Sequence, residues 1–212
     1  MIIATSSYKD YTEGNLIPCS ISGDRGKKEN FNGKYYKALA PKLSFWQIWE
    51  SNIGLKDEDN NNLYYVEQFF LQVLYNLNPE EVYNELLGNV LLCYENNNEF
   101  CHRHIVAYWL EMLLDVEIPE IKVINGEIKQ VERPLIIKKM LERTFKKYIY
   151  MDKFTSIRAW YVNEKAKKYD EAAKRKEREN KNLANVFREQ AADLRCSAEV
   201  IEKEYRGKIL KK

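Results

Sequence analysis

Val90-Leu91-Leu92-Cys93-Tyr94 is an apolar run set between Gly88 and the polar stretch Glu95-Asn96-Asn97-Asn98-Glu99. A short run closed by turn formers on both sides reads as a strand covered on both faces, the habit of a central strand in a parallel sheet. That stretch restricts the chain to α/β architectures. Helices to cover such a sheet precede it. Tyr65, Phe69, Val73 and Leu77 recur at helical spacing, and Asn78-Pro79-Glu80-Glu81 supplies an N-cap, a proline at the first position and early acids before Val82, Leu86 and Leu87.

Ile2-Ile3-Ala4 followed by Thr5-Ser6-Ser7 reads as a short first strand ending in hydroxyls, which either line a pocket or make a turn. Leu16 to Ser22 reads as a second strand, with Pro18 at its start or at a sheet edge and Cys19 as a small core residue. It runs into Gly23-Asp24-Arg25-Gly26-Lys27-Lys28, either a loop that wraps an anion or an exposed connection. The aromatic stretch from Phe31 to Gly54 is read as core, with a base-stacking platform as the sharper alternative.

After the central strand a helix is expected from about Glu99, capped by Asn98, to Leu114. Glu117 to Val123 returns as a strand, and Ile124-Asn125-Gly126-Glu127 is a hairpin turn. The fold class predicted is α/β, a small mainly parallel sheet flanked by helices over residues 1–132, followed by a long helical C-terminal extension over 133–212.

The formal charge of +2 conceals an asymmetry, because residues 133–212 hold 23 Lys and Arg against 12 Asp and Glu. An acidic head and a basic tail suggest a polyanion partner or docking of one on the other, against the plainer reading of a solvated helix. One long helix is expected from about Asp152 to near Gly207. Leu183, Phe187, Leu194, Ile201 and Tyr205 form a short coiled-coil seam on it, and Lys174 to Asn182 is too polar to be buried. Such a helix needs a partner in its own head, in a second copy or in another protein.

Four cysteines at 19, 93, 101 and 196 suit a reducing compartment rather than a disulfide framework. No apolar run approaches the ~20 residues that cross a bilayer. The expectation is a cytoplasmic protein with no membrane partner.

The candidate site surrounds the central strand's end. Cys93 and Glu95 are two apart, so they share a side of the strand, and Glu95 falls at the C-terminal edge where open α/β sheets bind ligands. Cys101, His102 and Arg103 fall at the start of the next helix, where unpaired N–H groups and the dipole favour an anion or a thiolate. Glu95 is the candidate acid or base. Cys101 is either a nucleophile or a structural cysteine. His102 is read as a hydrogen-bonded core histidine ahead of a catalyst, and Arg103 as a bidentate grip on an anion. A four-ligand zinc site from Cys93, Cys101, His102 and His104 is disfavoured, since residues two apart on a helix diverge by roughly 200°. At most three ligands remain, so no metal is assigned, and no cofactor either.

These residues carry a resemblance. Leu91-Leu92-Cys93-Tyr94-Glu95, then Cys101-His102-Arg103-His104-Ile105-Val106-Ala107-Tyr108-Trp109-Leu110, with Thr5-Ser6, Pro18-Cys19-Ser20-Ile21-Ser22 and Tyr36-Lys37-Ala38-Leu39-Ala40-Pro41-Lys42, together resemble the bacterial domain-of-unknown-function 488 family over residues 1–121. The resemblance implies an α/β domain with shared polar positions at Thr5, Ser6, Ser20, Ser22, Lys37, Lys42, Cys93, Glu95, Cys101, His102 and Arg103. It implies where a site lies and no particular reaction. The ligand-binding set expected is Thr5, Ser6, Ser20, Ser22, Lys42, His102 and Arg103, with Glu95 and Cys101 as catalytic candidates.

Two functional readings follow. One is an enzyme or binding domain for a nucleotide or nucleic-acid phosphate. The alternative is an interaction protein whose helical tail binds a protein, a second copy or DNA, in bacterial or phage defence or counter-defence.

Overall fold

The apolar run becomes β4 (Asn89–Cys93), and all five of its residues are buried. The computed structural model describes residues 2–210. β4 lies between β1 (Ala4–Ser7) and β2 (Ile17–Ser20), parallel to both, in register Ala4↔Val90 and Ile17↔Asn89. β3 (Lys34–Tyr35) pairs with β2, and β5 (Glu120–Ile124) with β1, both parallel. β6 (Glu127–Val131) returns antiparallel on β5, closing a six-stranded sheet in the order β3-β2-β4-β1-β5-β6. The turn between them places Asn125 at φ 55° and Gly126 at φ 77°, the left-handed pair that an Asn-Gly hairpin adopts without steric cost. Both edges are blunt. β3 has two residues, and β6 is exposed along Glu127 to Gln130 with Lys129 among them.

Between β3 and β4 come α1 (Leu43–Ser51), α2 (Glu58–Gln72) and α3 (Pro79–Leu86), the last capped by Asn78, whose side chain accepts from the Glu80 N–H. α4 (His102–Leu114) joins β4 to β5 and stops at Asp115, whose φ of 58° breaks the helical path. Alternation along β4 puts Val90 and Leu92 on one face, clustered with Ala4, Tyr11 and Ile121. Leu91 and Cys93 point to the other, against α4. Fully buried Phe45, Phe69 and Trp109 fill the space between helices and sheet, each worth about 1.5–3 kcal/mol by area removed from water.

The chain divides into two compact units at Phe145/Lys146, rather than at 132/133. The reason is α5 (Leu135–Tyr148): Ile137, Met140, Leu141, Thr144 and Phe145 are buried, and the Phe145 ring sits 4.7 Å from that of Phe70. Its first three turns belong to the α/β unit.

The second unit, Lys146–Lys212, is a helical hairpin and not the single helix expected from the sequence. α6 (Ile157–Lys176) and α7 (Lys181–Ile209) are separated by a break at Glu177 to Asn180, where the Asn180 side chain caps α7 by accepting from the Leu183 N–H. The polar middle of the extension is therefore a turn. Ala159, Ala166 and Ala173 on α6, and Ala184, Ala191 and Ala198 on α7, are all at most 1% exposed. Each set recurs every seven residues, the repeat of a coiled-coil seam, and alanine lets the two backbones approach closely. Phe187 packs at a tilt beside Tyr169, 6.0 Å between ring centres, and Asp170–Arg195 and Glu177–Arg188 ion pairs line the flanks. The partner that the α7 seam required is α6 of the same chain. At the open end Glu202 accepts from the Thr155 and Ser156 N–H groups and from Arg206.

Candidate functional site

β2 leads away towards β3, whereas β4 leads across β1 to β5 through α4. Connections that diverge from adjacent parallel strands leave a crevice at their C-terminal ends, where open α/β sheets place ligands. Cys93, Glu95, Cys101 and His102 meet at this crevice.

Cys101 is the N-cap of α4, with extended backbone, so the helix starts three residues later than the Asn98 cap expected from sequence. The intervening loop is held by other bonds. Glu99 accepts from the Asn96 N–H at 2.8 Å, and the Asn97 amide donates to the Glu132 carbonyl at 3.0 Å. A thiol is a poor cap, and Cys101 makes no capping bond.

His102 is buried, with Nε2 3.0 Å from the Ile21 carbonyl oxygen and Nδ1 3.6 Å from Cys93 Sγ. A carbonyl only accepts, so Nε2 carries the proton in that bond and Nδ1 faces the sulfur atoms. Cys93 Sγ also lies 3.3 Å from Glu95 Oε2. Burial opposes a charge on Cys101, but the Cys93 thiol, Arg103 and His102 outweigh it and hold Cys101 well below the usual thiol range. Burial and the neighbouring Cys101 push Cys93 the other way, well above that range. Burial and Cys101 also push the Glu95 carboxyl up to about 7. Burial would lower His102, yet contact with Cys101 raises it. The two thiols are thus shifted in opposite directions, Cys101 down and Cys93 up. Cys101 is only 2% exposed, whereas Glu95 is half-buried.

Arg103 is placed differently from the expected grip on an external phosphate. Its Nη2 lies 2.9 Å and its Nε 3.1 Å from Glu120 Oε1, with both side chains fully buried. Burial would raise the Glu120 carboxyl, but His104 and Arg103 hold it below the usual range. Nη1 is buried with no hydrogen-bond partner among the described residues. His104 turns to Glu120, with Nε2 3.4 Å from Oε2, so it faces away from the cysteines as helix geometry requires.

The hydroxyls separate into two groups. Ser6 donates to the Ile121 carbonyl at 2.6 Å and Thr5 to that of Pro119 at 3.4 Å, so both fasten β1 to its neighbour rather than line a pocket. Ser20 and Ser22 converge on the Tyr8 hydroxyl at 2.6 and 2.9 Å, and Ser22 donates to Asp24, which also accepts from Tyr94 at 2.7 Å. This network pins the Gly23–Lys28 loop beside the crevice. There Arg25 lies over Tyr35 and Lys28 over Tyr94, so the cations rest on aromatic faces. Lys37 and Lys42 are exposed. Trp49 lies beside Phe100 at 5.8 Å and donates to Asn62, as part of a wall with Tyr65 and Phe69, and Phe69 packs 5.6 Å from His102. Within the aromatic stretch Phe45 is core and Trp49 joins this wall half-buried, whereas Phe31, Tyr35, Tyr36 and Trp46 are only half-buried.

Glu120, Tyr8 and Asp24 went unread in the sequence. Tyr8 directly follows a strand and Asp24 directly follows a glycine, which are the signals of loop anchors. Glu120 carries none, since a buried acid inside a strand looks like an exposed one.

No family model, no curated protein and no solved structure matches this chain. The resemblance to the domain-of-unknown-function 488 family is carried by the quoted motifs alone.

Proposed function

We propose that the Met1–Phe145 unit is an enzyme of nucleotide or nucleic-acid chemistry, with its reacting centre at the crevice between the ends of β2 and β4. The observation that carries this reading is the convergence of two thiols, an imidazole and a carboxylate at that edge. An ordinary core offers no reason to place Glu95 and His102 Nδ1 against sulfur. Glu95, the half-buried member of the cluster, is the proton-transfer group. Cys101 is too enclosed to attack a substrate directly, since reactive cysteines are partly exposed and buried ones inert. It acts as the charged floor of the site. The substrate class draws on the second unit, where residues 146–212 hold 19 Lys and Arg against 11 Asp and Glu. A basic hairpin favours a polyanion, by a term that weakens with salt.

The test is incubation of the full chain with a nucleotide panel and with single-stranded and duplex oligonucleotides, read by mass change of the substrate. Wild type converts one of these, and Glu95→Gln lowers the rate at least ~100-fold, the usual scale of a lost acid–base group, with its fold intact by circular dichroism. No conversion of any substrate, or equal rates in both proteins, discards the reading.

A further inference from the structure

We propose that Cys93, Cys101 and His102 bind one soft divalent cation, zinc by preference, leaving a fourth coordination position open beside Glu95. The inference deepens the function proposed above and rests on the same site.

Geometry carries it. Sulfur at about 2.3 Å and nitrogen at about 2.0–2.1 Å from a tetrahedral zinc stand about 3.6 Å from each other. Cys93 Sγ and His102 Nδ1 are 3.6 Å apart. One donor atom from each of Cys93, Cys101 and His102 falls within 4.8 Å of the others, so a small contraction closes the set around an ion. The imidazole is already oriented for ligation. Nε2 is committed to the Ile21 carbonyl at 3.0 Å, the outer-shell bond that fixes the tautomer of metal-binding histidines and directs the other nitrogen inward. The ligands come from two rigid elements, the end of β4 and the start of α4, joined by a loop with hydrogen bonds of its own.

The donor set selects the metal. Two thiolates and an imidazole suit zinc over magnesium or calcium, which take oxygen ligands. Their charge also balances. Two thiolates cancel the cation, and because thiols bind as thiolates, binding releases protons. The buried Arg103–Glu120 pair behind the site adds no net charge.

Three protein ligands and an open position define the catalytic form of a zinc centre, and the structural form takes a fourth protein ligand. Glu95 Oε2 is 3.3 Å from Cys93 Sγ. The carboxylate thus stands next to the open position, where it can take a proton from a metal-bound water. The sequence argument against zinc removed His104 and left three ligands. These are the three that the fold assembles.

The full chain, purified under reducing conditions, is stripped with a chelator and titrated with zinc(II) or cobalt(II). One equivalent is expected by elemental analysis, with the thiolate-to-cobalt charge-transfer band and the intense visible bands of tetrahedral cobalt. Cys93→Ser and Cys101→Ser each lose the band, whereas Cys19→Ser and Cys196→Ser keep it. Because a buried substitution can impair folding, wild type is also alkylated with and without zinc. Zinc should slow modification of Cys93 and Cys101 at least ~10-fold and leave that of exposed Cys196 unchanged. No stoichiometric metal, a band that survives both serine variants, or a Cys93–Cys101 disulfide in place of metal overturns the inference. Conversion of substrate by a protein that takes up no stoichiometric metal would overturn the metal site and spare the enzyme. Stoichiometric metal with no substrate converted would do the reverse.

Discussion

The two units bury different things. The α/β unit encloses a fully buried arginine, its glutamate, two histidines and three thiols, two of them at the candidate site, behind strands brought together from distant parts of the chain. The hairpin encloses alanines, arranged by the repeat of two adjacent helices, and its buried acid sits at the open end. Alanine seams are sufficient for stability. Buried ionised groups cost several kcal/mol each to desolvate, and hydrophobic replacements commonly equal them. A fold that concentrates such groups beside one crevice is serving something other than stability, and the hairpin is the internal control for that statement.

The contrast breaks most sharply at Arg103. Arg103→Ala or Glu120→Ala leaves one buried charge alone and should cost about 3–5 kcal/mol in urea denaturation of the α/β unit. Replacing both at once, with Met and Leu, should return stability to within about 1 kcal/mol of wild type. Single variants that lose less than about 1 kcal/mol would show the pair to be solvated. In the hairpin, Ala191→Leu inserts bulk where two backbones meet and should cost about 1–3 kcal/mol. Hydrogen exchange should then quicken across 157–209 and stay unchanged in the sheet; equal quickening in both would remove the distinction between the units.

The smallest effect concerns pH. Burial alone would raise the Glu202 carboxyl, but the bonds from Thr155, Ser156 and Arg206 hold it down at about 2. Its folded value lies below the ordinary one of about 4.3, so its stabilisation is complete above that pH and is lost as pH falls towards 2. After allowance for solvent at the helix end, the effect is about 1–2 kcal/mol. Glu202→Gln should flatten acid unfolding of the hairpin over this interval. An unchanged acid limb would mean that Glu202 titrates alike in both states.

What the sequence revealed followed the same division between near and far. β4, the Asn78 cap and the Asn125-Gly126 turn are dictated within a few residues, and the structure has them where the pattern placed them. Cys93, Glu95, Cys101 and His102 were legible because a strand end and a helix start lie eight residues apart in sequence. Arg103 was read correctly as a bidentate donor but given the wrong acceptor, since its partner lies on another strand and nothing local marks it. In the extension the large residues Leu183, Phe187 and Leu194 drew the reading towards one seamed helix. The seven-residue recurrence of alanine, which fixes the hairpin, was equally present, but alanine marks both buried and exposed helix faces.

The blunt sheet edges carry a last consequence. A two-residue strand offers no template, and β6 presents Glu127 and Lys129 to solvent. An incoming strand at either margin would have to strip water from charged side chains for few backbone bonds in return. Both margins therefore disfavour extension of the sheet by another strand.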